Sequence, residues 1–245
     1  MAIRPGLNGV TMVGFGDAVG LFAGTPAAPA GLDNFGLAAA AGVAYRAMIG
    51  RDLPVLFGRQ EHTALSFVFA AEPGRPVPPG GHDVGVCDAL ITAEEEVALM
   101  VRTADCLPVL LAGGGVVAAI HAGWRGLAAD ILGRVVGRIG NEFGVGGEAL
   151  SAVIGVGIGP CHFEVGNEVV AALAAQACDA TGWAEGGVVD LACWAAGRLR
   201  RVGLDAVRIR TLPGCTSCSP DFHSWRRDGD AAGRQWNAVM LRPRA

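Results

Sequence analysis

Cys106 and His121 stand at the two ends of residues 107–120, a run without a single charged side chain, and His62 lies upstream of both. Thiolate and imidazole are ligands that zinc prefers, and three such ligands leave a fourth position for water or substrate. An ion held that way lowers the pKa of its bound water to roughly 7 and polarises whatever else it binds. The same thiol and imidazole are also the parts of a cysteine nucleophile with its base. A buried cysteine is equally often an inert small hydrophobe. His62 sits in Gly58-Arg59-Gln60-Glu61-His62-Thr63, a polar junction between two strand-like segments, where functional side chains collect.

Charge adds a second kind of chemistry. All 19 basic residues are arginine and none is lysine, which excludes a Schiff-base lysine, a lysine nucleophile and the lysine of a phosphate-binding P-loop. An anion must then be held by Arg, His, a metal or backbone amides. Arg226, Arg227 and Arg234 gather near the C-terminus, and Arg125 follows His121 by one helical turn; guanidinium groups bind phosphate or carboxylate bidentately. Solvated ion pairs with Asp221, Asp228 and Asp230 are the plain alternative for that C-terminal group. Asp88 and Asp105 are candidate acids or bases. Cys161 closes Gly155-Val156-Gly157-Ile158-Gly159-Pro160-Cys161, whose third glycine is misplaced for a dinucleotide fingerprint, so a tight turn that brings Cys161 to the edge of the core is expected. Cys215-Thr216-Ser217-Cys218 is a lone C-x-x-C; a structural zinc would need two further ligands, for which His223, or remotely Cys193 and Cys178, are available.

These side chains need elements to hold them. Residues 102–126 read as a hairpin. With Gly113-Gly114 as a two-residue turn, Cys106 lies directly across from His121, about 4.5–5.5 Å away at Cβ, while a three-residue turn sends the two to opposite faces. Helices are expected over residues 34–48, along the stripe Leu127, Ile131, Val135, Ile139, and over 164–178 and 191–202. Strands are expected over 55–57, 65–69, 86–92, 97–101, 152–158 and 206–209. Residues 73–81, with four prolines, read as a loop, and 215–240 as a polar tail ending in a short strand. Strands and helices interleave without a regular βαβ period, so the expected fold is α+β, with mixed β-sheets packed together and flanked by helices. The net charge of -4 argues against nucleic acid as a partner. The longest apolar run is too short to span a bilayer, and no leader is visible. Seven cysteines, an odd number, fit free thiols and a cytoplasmic location.

Several segments together resemble one family. Residues 103–110 (Thr-Ala-Asp-Cys-Leu-Pro-Val-Leu), 121–126 (His-Ala-Gly-Trp-Arg-Gly), 158–166 (Ile-Gly-Pro-Cys-His-Phe-Glu-Val-Gly) and 224–229 (Ser-Trp-Arg-Arg-Asp-Gly) resemble the bacterial YfiH-like family, as does Cys87-Asp88-Ala89-Leu90-Ile91-Thr92. That family is also described as laccase-domain or polyphenol oxidoreductase proteins, and as purine nucleoside phosphorylases. The resemblance implies one domain over residues 1–245, divergent in 1–50, and zinc on His62, Cys106 and His121, with copper as the alternative metal. It implies a cytoplasmic enzyme that cleaves adenosine, inosine and methylthioadenosine with phosphate and also deaminates adenosine. Arg125, Arg226 and Arg227, with Asp88 and Cys161, are then the substrate- and phosphate-site candidates. A copper phenol oxidase, and a cysteine hydrolase using Cys106 and His121, are the rival readings. The family's usual Gln-Val-His-Gly reads Gln60-Glu61-His62-Thr63 here, and residues 38–41 are alanines where a polar segment is usual.

Overall fold

Residues 107–120 are uncharged because the hairpin they form is covered on both faces. The structure, a computed structural model, describes residues 1–5, 9–72, 77–176 and 178–243. The chain starts with strands β1 (Ala2–Pro5), β2 (Val10–Gly14) and β3 (Ala18–Ala23), then helix α1 (Asn34–Ile49) and strand β4 (Pro54–Arg59). Strands β5 (Ser66–Phe69), β6 (Gly80–Val86), β7 (Ala89–Thr92) and β8 (Ala98–Thr103) lead into the hairpin of β9 (Leu107–Gly113) and β10 (Val116–Ala122). Helices α2 (Trp124–Ala128) and α3 (Ile131–Phe143), strand β11 (Ser151–Ile154) and helix α4 (Asn167–Ala174) follow. The ribbon of β12 (Ala184–Glu185) and β13 (Val188–Val189) comes next, then helix α5 (Leu191–Arg201) and strand β14 (Ile209–Thr211). A one-turn helix α6 (Trp225–Asp228) precedes the last strand, β15 (Gln235–Leu241).

Two mixed sheets result, in the orders β1-β2-β3-β15-β8-β4-β6 and β14-β11-β9-β10-β7-β5. Strand β4 runs parallel to both its neighbours, and the pairs β5/β7 and β11/β14 are parallel in the second sheet. The sheets face one another through Phe22, Leu99, Val101 and Val239 on one side and Leu110, Val117, Ala119 and Val153 on the other. The outer face of the six-stranded sheet packs Val109, Leu111, Ala118 and Ile120 against Leu132 and Val135 of α3, Leu173 of α4, and Trp194 of α5. Helix α1 covers the far face of the seven-stranded sheet with Leu37, Ala41 and Tyr45 over Leu21, Met100 and Trp236. The mixed, helix-flanked sheets expected from the sequence are therefore present. A strand buried on both faces loses the polar–apolar alternation, which explains the composition of β9 and β10. No helix among the described residues is long and apolar enough to cross a membrane.

The hairpin register differs from both expected alternatives. Gly113 pairs with Val116 inside the ladder, and the two-residue turn is Gly114-Gly115, with φ of 60° and 76°. Positive φ at both turn positions is what a type I′ turn demands, and the three consecutive glycines let it slide by one residue. His121 thus pairs with Pro108, and Cys106 lies one diagonal step further along the same face. The shift is even in register, so the two side chains stay together.

Other boundaries moved for local reasons. The helical stripe from Leu127 to Ile139 breaks at Asp130 (φ 62°), whose carboxylate caps α3 by accepting from the Gly133 amide and pairs with Arg198 at 2.6 Å. The helix expected over 164–178 is confined to α4, and residues 206–208 form a 3-10 turn before β14. The expected strand over 152–158 stops at Ile154, and the backbone beyond it passes too close to Phe22 at Gly155, and to Leu107 and the Asp105 carbonyl at Gly157, for any side chain to fit. Residues 86–92 divide into the end of β6 and all of β7, with Cys87 and Asp88 between them. Gly80 and Gly81 belong to β6, not to a loop, while residues 73–76 lie outside the described part. The C-terminal tail ends in a seven-residue strand at the centre of the larger sheet.

Candidate active site

Asp88, fully buried between β6 and β7, organises one end of the inter-sheet space. Its Oδ1 accepts from His121 Nδ1 at 2.7 Å and from the His62 amide at 3.0 Å. Its Oδ2 accepts from the Thr63 amide and hydroxyl, at 2.8 and 2.7 Å, and from the Glu61 amide at 3.2 Å. One carboxylate thus fixes the imidazole of His121 and the backbone of the loop carrying His62. That loop needs fixing, because His62 has φ of 59°, a conformation that costs a non-glycine residue about 1–3 kcal/mol. Asp105, φ 85°, is held likewise: its carboxylate accepts from Thr216 Oγ1 at 2.6 Å and from the Arg226 amide at 2.7 Å.

His62, Cys106 and His121 converge, with one ligand atom from each lying within 4.8 Å of the others. The two imidazoles meet edge to face, 4.9 Å between centroids. Gly123 closes the cluster, since a Cβ there would stand 2.8 Å from Cys106 Sγ and 3.0 Å from His62 Cδ2. Burial pushes the Cys106 thiol up, but hydrogen bonds from His121 and His62 outweigh it and bring the pKa from 9.0 to about 6. Burial depresses His121, yet its bonds to Asp88 and Cys106 raise it from 6.5 to about 9. Asp88, which burial would raise, is lowered to about 2 by His121 and Thr63. The cluster therefore offers a thiolate and a histidine whose Nδ1 is committed to a carboxylate, the arrangement that orients a metal-ligating imidazole. The donor set fits a zinc-like ion.

Above this cluster lies a cleft of about 570 Å³. Its lining includes His62, Cys106 and His121, four arginines (Arg102, Arg125, Arg226, Arg234) and the rings of Trp124, Phe163 and Trp225. Asp105 is the only carboxylate in that lining, and its oxygens are taken up by Thr216 and Arg226. Three guanidiniums lie over aromatic rings: Arg125 over Trp124 at 4.5 Å, Arg234 over Trp225 at 5.7 Å, and Arg226 over Phe163 at 5.8 Å. Arg226 donates to the carbonyls of His162 and Glu164, and Arg234 to those of Ala232 and Gly233. The Arg125 guanidinium makes no hydrogen bond to any described residue, and the buried Arg102 Nε has no partner among them. The cleft thus sets guanidinium groups, which pair with anions, beside the faces of aromatic rings.

The remaining candidates fall elsewhere. Asp88 lies behind His121 and outside the cleft lining. Arg227 spends its guanidinium on the carbonyls of Thr216, Ser219 and Phe222 and on Asp228, and so ties together the loop before α6. Cys161 joins His162, Cys215 and Cys218 in a separate group. His223 is buried, bonds Ala28 O at 2.6 Å and takes no part in that group. Arg102 escaped the sequence reading, since a lone arginine in an apolar strand carries no signal. So did Trp225, as one aromatic in a polar tail, and the buried support that Thr63 gives Asp88.

A family model described as multi-copper polyphenol oxidoreductase laccase matches residues 40–242. A purine nucleoside phosphorylase of Bacteroides thetaiotaomicron is 37% identical over 163 residues, 63% of this chain and 60% of that protein. One of Xylella fastidiosa is 42% identical over 149 residues, 58% of this chain and 56% of that protein. The match thus spans less than two thirds of these relatives. A purine nucleoside phosphorylase of Streptomyces coelicolor, 37% identical over 191 residues, is matched over 74% of both chains. Among solved structures, the hypothetical protein YfiH of Bacillus licheniformis superposes with a TM-score of 0.84 at 21% identity, covering 98% of this chain and 99% of that one. A Neisseria meningitidis protein of the DUF152 family model gives 0.72 at 28% identity, over 96% and 100%.

Proposed function

The chain belongs to the multi-copper polyphenol oxidoreductase laccase family, and from that premise we propose that it is a zinc-dependent purine nucleoside phosphorylase. Its substrates on this reading are adenosine, inosine and methylthioadenosine, and adenosine deamination is a second activity of the same cleft. The observation that carries the proposal is the meeting of the His62–Cys106–His121 cluster with four guanidiniums and three aromatic rings in one cleft. Relatives named purine nucleoside phosphorylase support it.

Arg125 binds the phosphate with its uncommitted donors, and Arg102 and Arg226 add positive charge on the same lining. Trp225, half exposed, and Phe163 present apolar faces to the purine. A phosphate oxygen held there attacks ribose C1′; the C1′–N9 bond breaks, and its electron pair leaves with the purine, which takes up a proton. Asp88 keeps the His121 proton on Nδ1 and so leaves Nε2 as the ligand atom. His62, Cys106 and His121 would hold the zinc ion, which when bound would supply Lewis acidity for the deamination. Zinc is favoured over copper by the lining, which includes no methionine for the usual axial copper ligand. Seven free cysteines fit a reducing compartment, the cytoplasm.

One observation favours a second reading. Cys106, lowered to about 6, with His121 and Asp88 forms a thiolate–imidazole–carboxylate series, the parts of a cysteine hydrolase. Chelation separates the two. Purine release from adenosine or inosine that requires phosphate, stops on chelation and returns with zinc supports the phosphorylase. Activity that survives chelation and dies on thiol alkylation supports the hydrolase.

A further inference from the structure

Strands β11 and β14 pair in parallel, so the loops leaving their C-terminal ends run side by side. The first loop carries Cys161 and His162, the second Cys215 and Cys218. Backbone bonds stitch the two together: the Thr216 amide donates to Gly157 O at 3.0 Å, and the Gly159 amide donates to Cys215 Sγ at 3.1 Å. One ligand atom from each of the four residues falls within 4.8 Å of the others. His162 Nδ1 is 3.3 Å from Cys161 Sγ, 3.3 Å from Cys218 Sγ and 3.8 Å from Cys215 Sγ, and the sulfurs of Cys161 and Cys218 are 3.5 Å apart.

Those four spacings, 3.3–3.8 Å, are close to the edge lengths of a tetrahedron around one ion. With Zn–S of about 2.3 Å and Zn–N of about 2.0–2.1 Å, ligand atoms at the corners stand roughly 3.5–3.8 Å from one another. Disulfide-bonded sulfurs would stand about 2.05 Å apart, so Cys161 and Cys218 are not bonded to one another here. The Gly159 N–H facing Cys215 Sγ supports a thiolate there.

We propose that Cys161, His162 through Nδ1, Cys215 and Cys218 bind a second zinc ion in a closed Cys3His site, structural in role. Binding releases the thiol protons and changes no oxidation state. The ion ties the two loops that flank the cleft, because Arg226 donates to His162 O at 2.7 Å and Phe163 follows directly in the chain. The site is independent of the His62 cluster and of the reaction proposed there.

The test is zinc per chain, read by native mass spectrometry of protein purified under reducing conditions. Wild type is expected to carry two ions, and Cys218→Ser and His162→Ala, at exposed positions, one each. His62→Ala also drops to one, while the double variant His62→Ala/Cys218→Ser carries none. If only the His62 site fails, wild type carries one ion and Cys218→Ser none, so the two failures read differently. Zinc content unaffected by Cys218→Ser and His162→Ala overturns the proposal, as does a Cys161–Cys218 disulfide in the freshly purified chain. Should the variants not fold, cobalt-loaded wild type decides: thiolate-to-metal absorption of four thiolates over two ions supports the second site, and that of one thiolate over one ion overturns it.

Discussion

Asp88→Asn tests the buried carboxylate on which the cluster depends. The substitution keeps the size of the side chain and turns one acceptor oxygen into a donor. If the amide NH2 replaces Oδ2, it faces the amides of Glu61 and Thr63, which cannot accept. If it replaces Oδ1, it faces the His62 amide and forces His121 to accept at Nδ1, which moves the ring proton to Nε2, the atom needed for a ligand. In the first orientation two charge-assisted bonds are lost and in the second one, the His121 contact surviving as a neutral bond, so at about 1.5–3 kcal/mol each the variant is destabilised by about 1.5–6 kcal/mol. For a chain of this size each kcal/mol moves the melting temperature by about 2–4 °C, which gives a drop of about 3–24 °C. Loss of a partner of this kind also weakens metal binding by about 10–100-fold. Thermal unfolding of the metal-free protein reads the first effect, and competition with a chromogenic zinc chelator reads the second. A metal-free variant that melts with wild type and binds zinc equally well refutes the reasoning.

Gly123→Ala is expected to displace Cys106 and His62, since the added Cβ would lie 2.8 Å from Sγ and 3.0 Å from Cδ2; zinc analysis should then show less than one ion at this cluster. Gly123 has φ of -73°, so backbone strain is not the cause. Arg125→Ala should raise the KM for phosphate by roughly 10–100-fold, the loss of one charge-assisted bond of about 1.5–3 kcal/mol, and leave zinc content unchanged. Acid also has a signed effect. The folded pKa of Asp88 is depressed from 3.8 to about 2, so its stabilisation is complete above the unfolded value and lost as pH falls through about 2. Urea midpoints of the metal-free protein across that window should fall for wild type and be flatter for Asp88→Asn.

Residue types offered His62, Cys106 and His121 as a possible ligand set but equally as an inert thiol and a loop histidine, and only the fold brings the three together; the hairpin was announced by a long uncharged run. The register was out of reach because Gly113, Gly114 and Gly115 all tolerate positive φ. The central strand β15 was read as a short end piece because Gln235 and Asn237 look exposed; both are buried, Gln235 bonded to the His223 backbone and Asn237 to Thr103 Oγ1. The three N-terminal strands were hidden in short Ala- and Gly-rich segments whose pairing is entirely non-local. The Cys3His group was invisible for the same reason: only the parallel pairing of β11 with β14 brings Cys161-His162 beside the C-x-x-C pair.

The most direct measurement of the central claim is phosphorus NMR of the zinc-loaded protein with inosine and inorganic phosphate. Phosphate is expected to convert to ribose 1-phosphate, matched by hypoxanthine release, with both lost in Cys106→Ala. No ribose 1-phosphate from wild type, or equal amounts from Cys106→Ala, would contradict it.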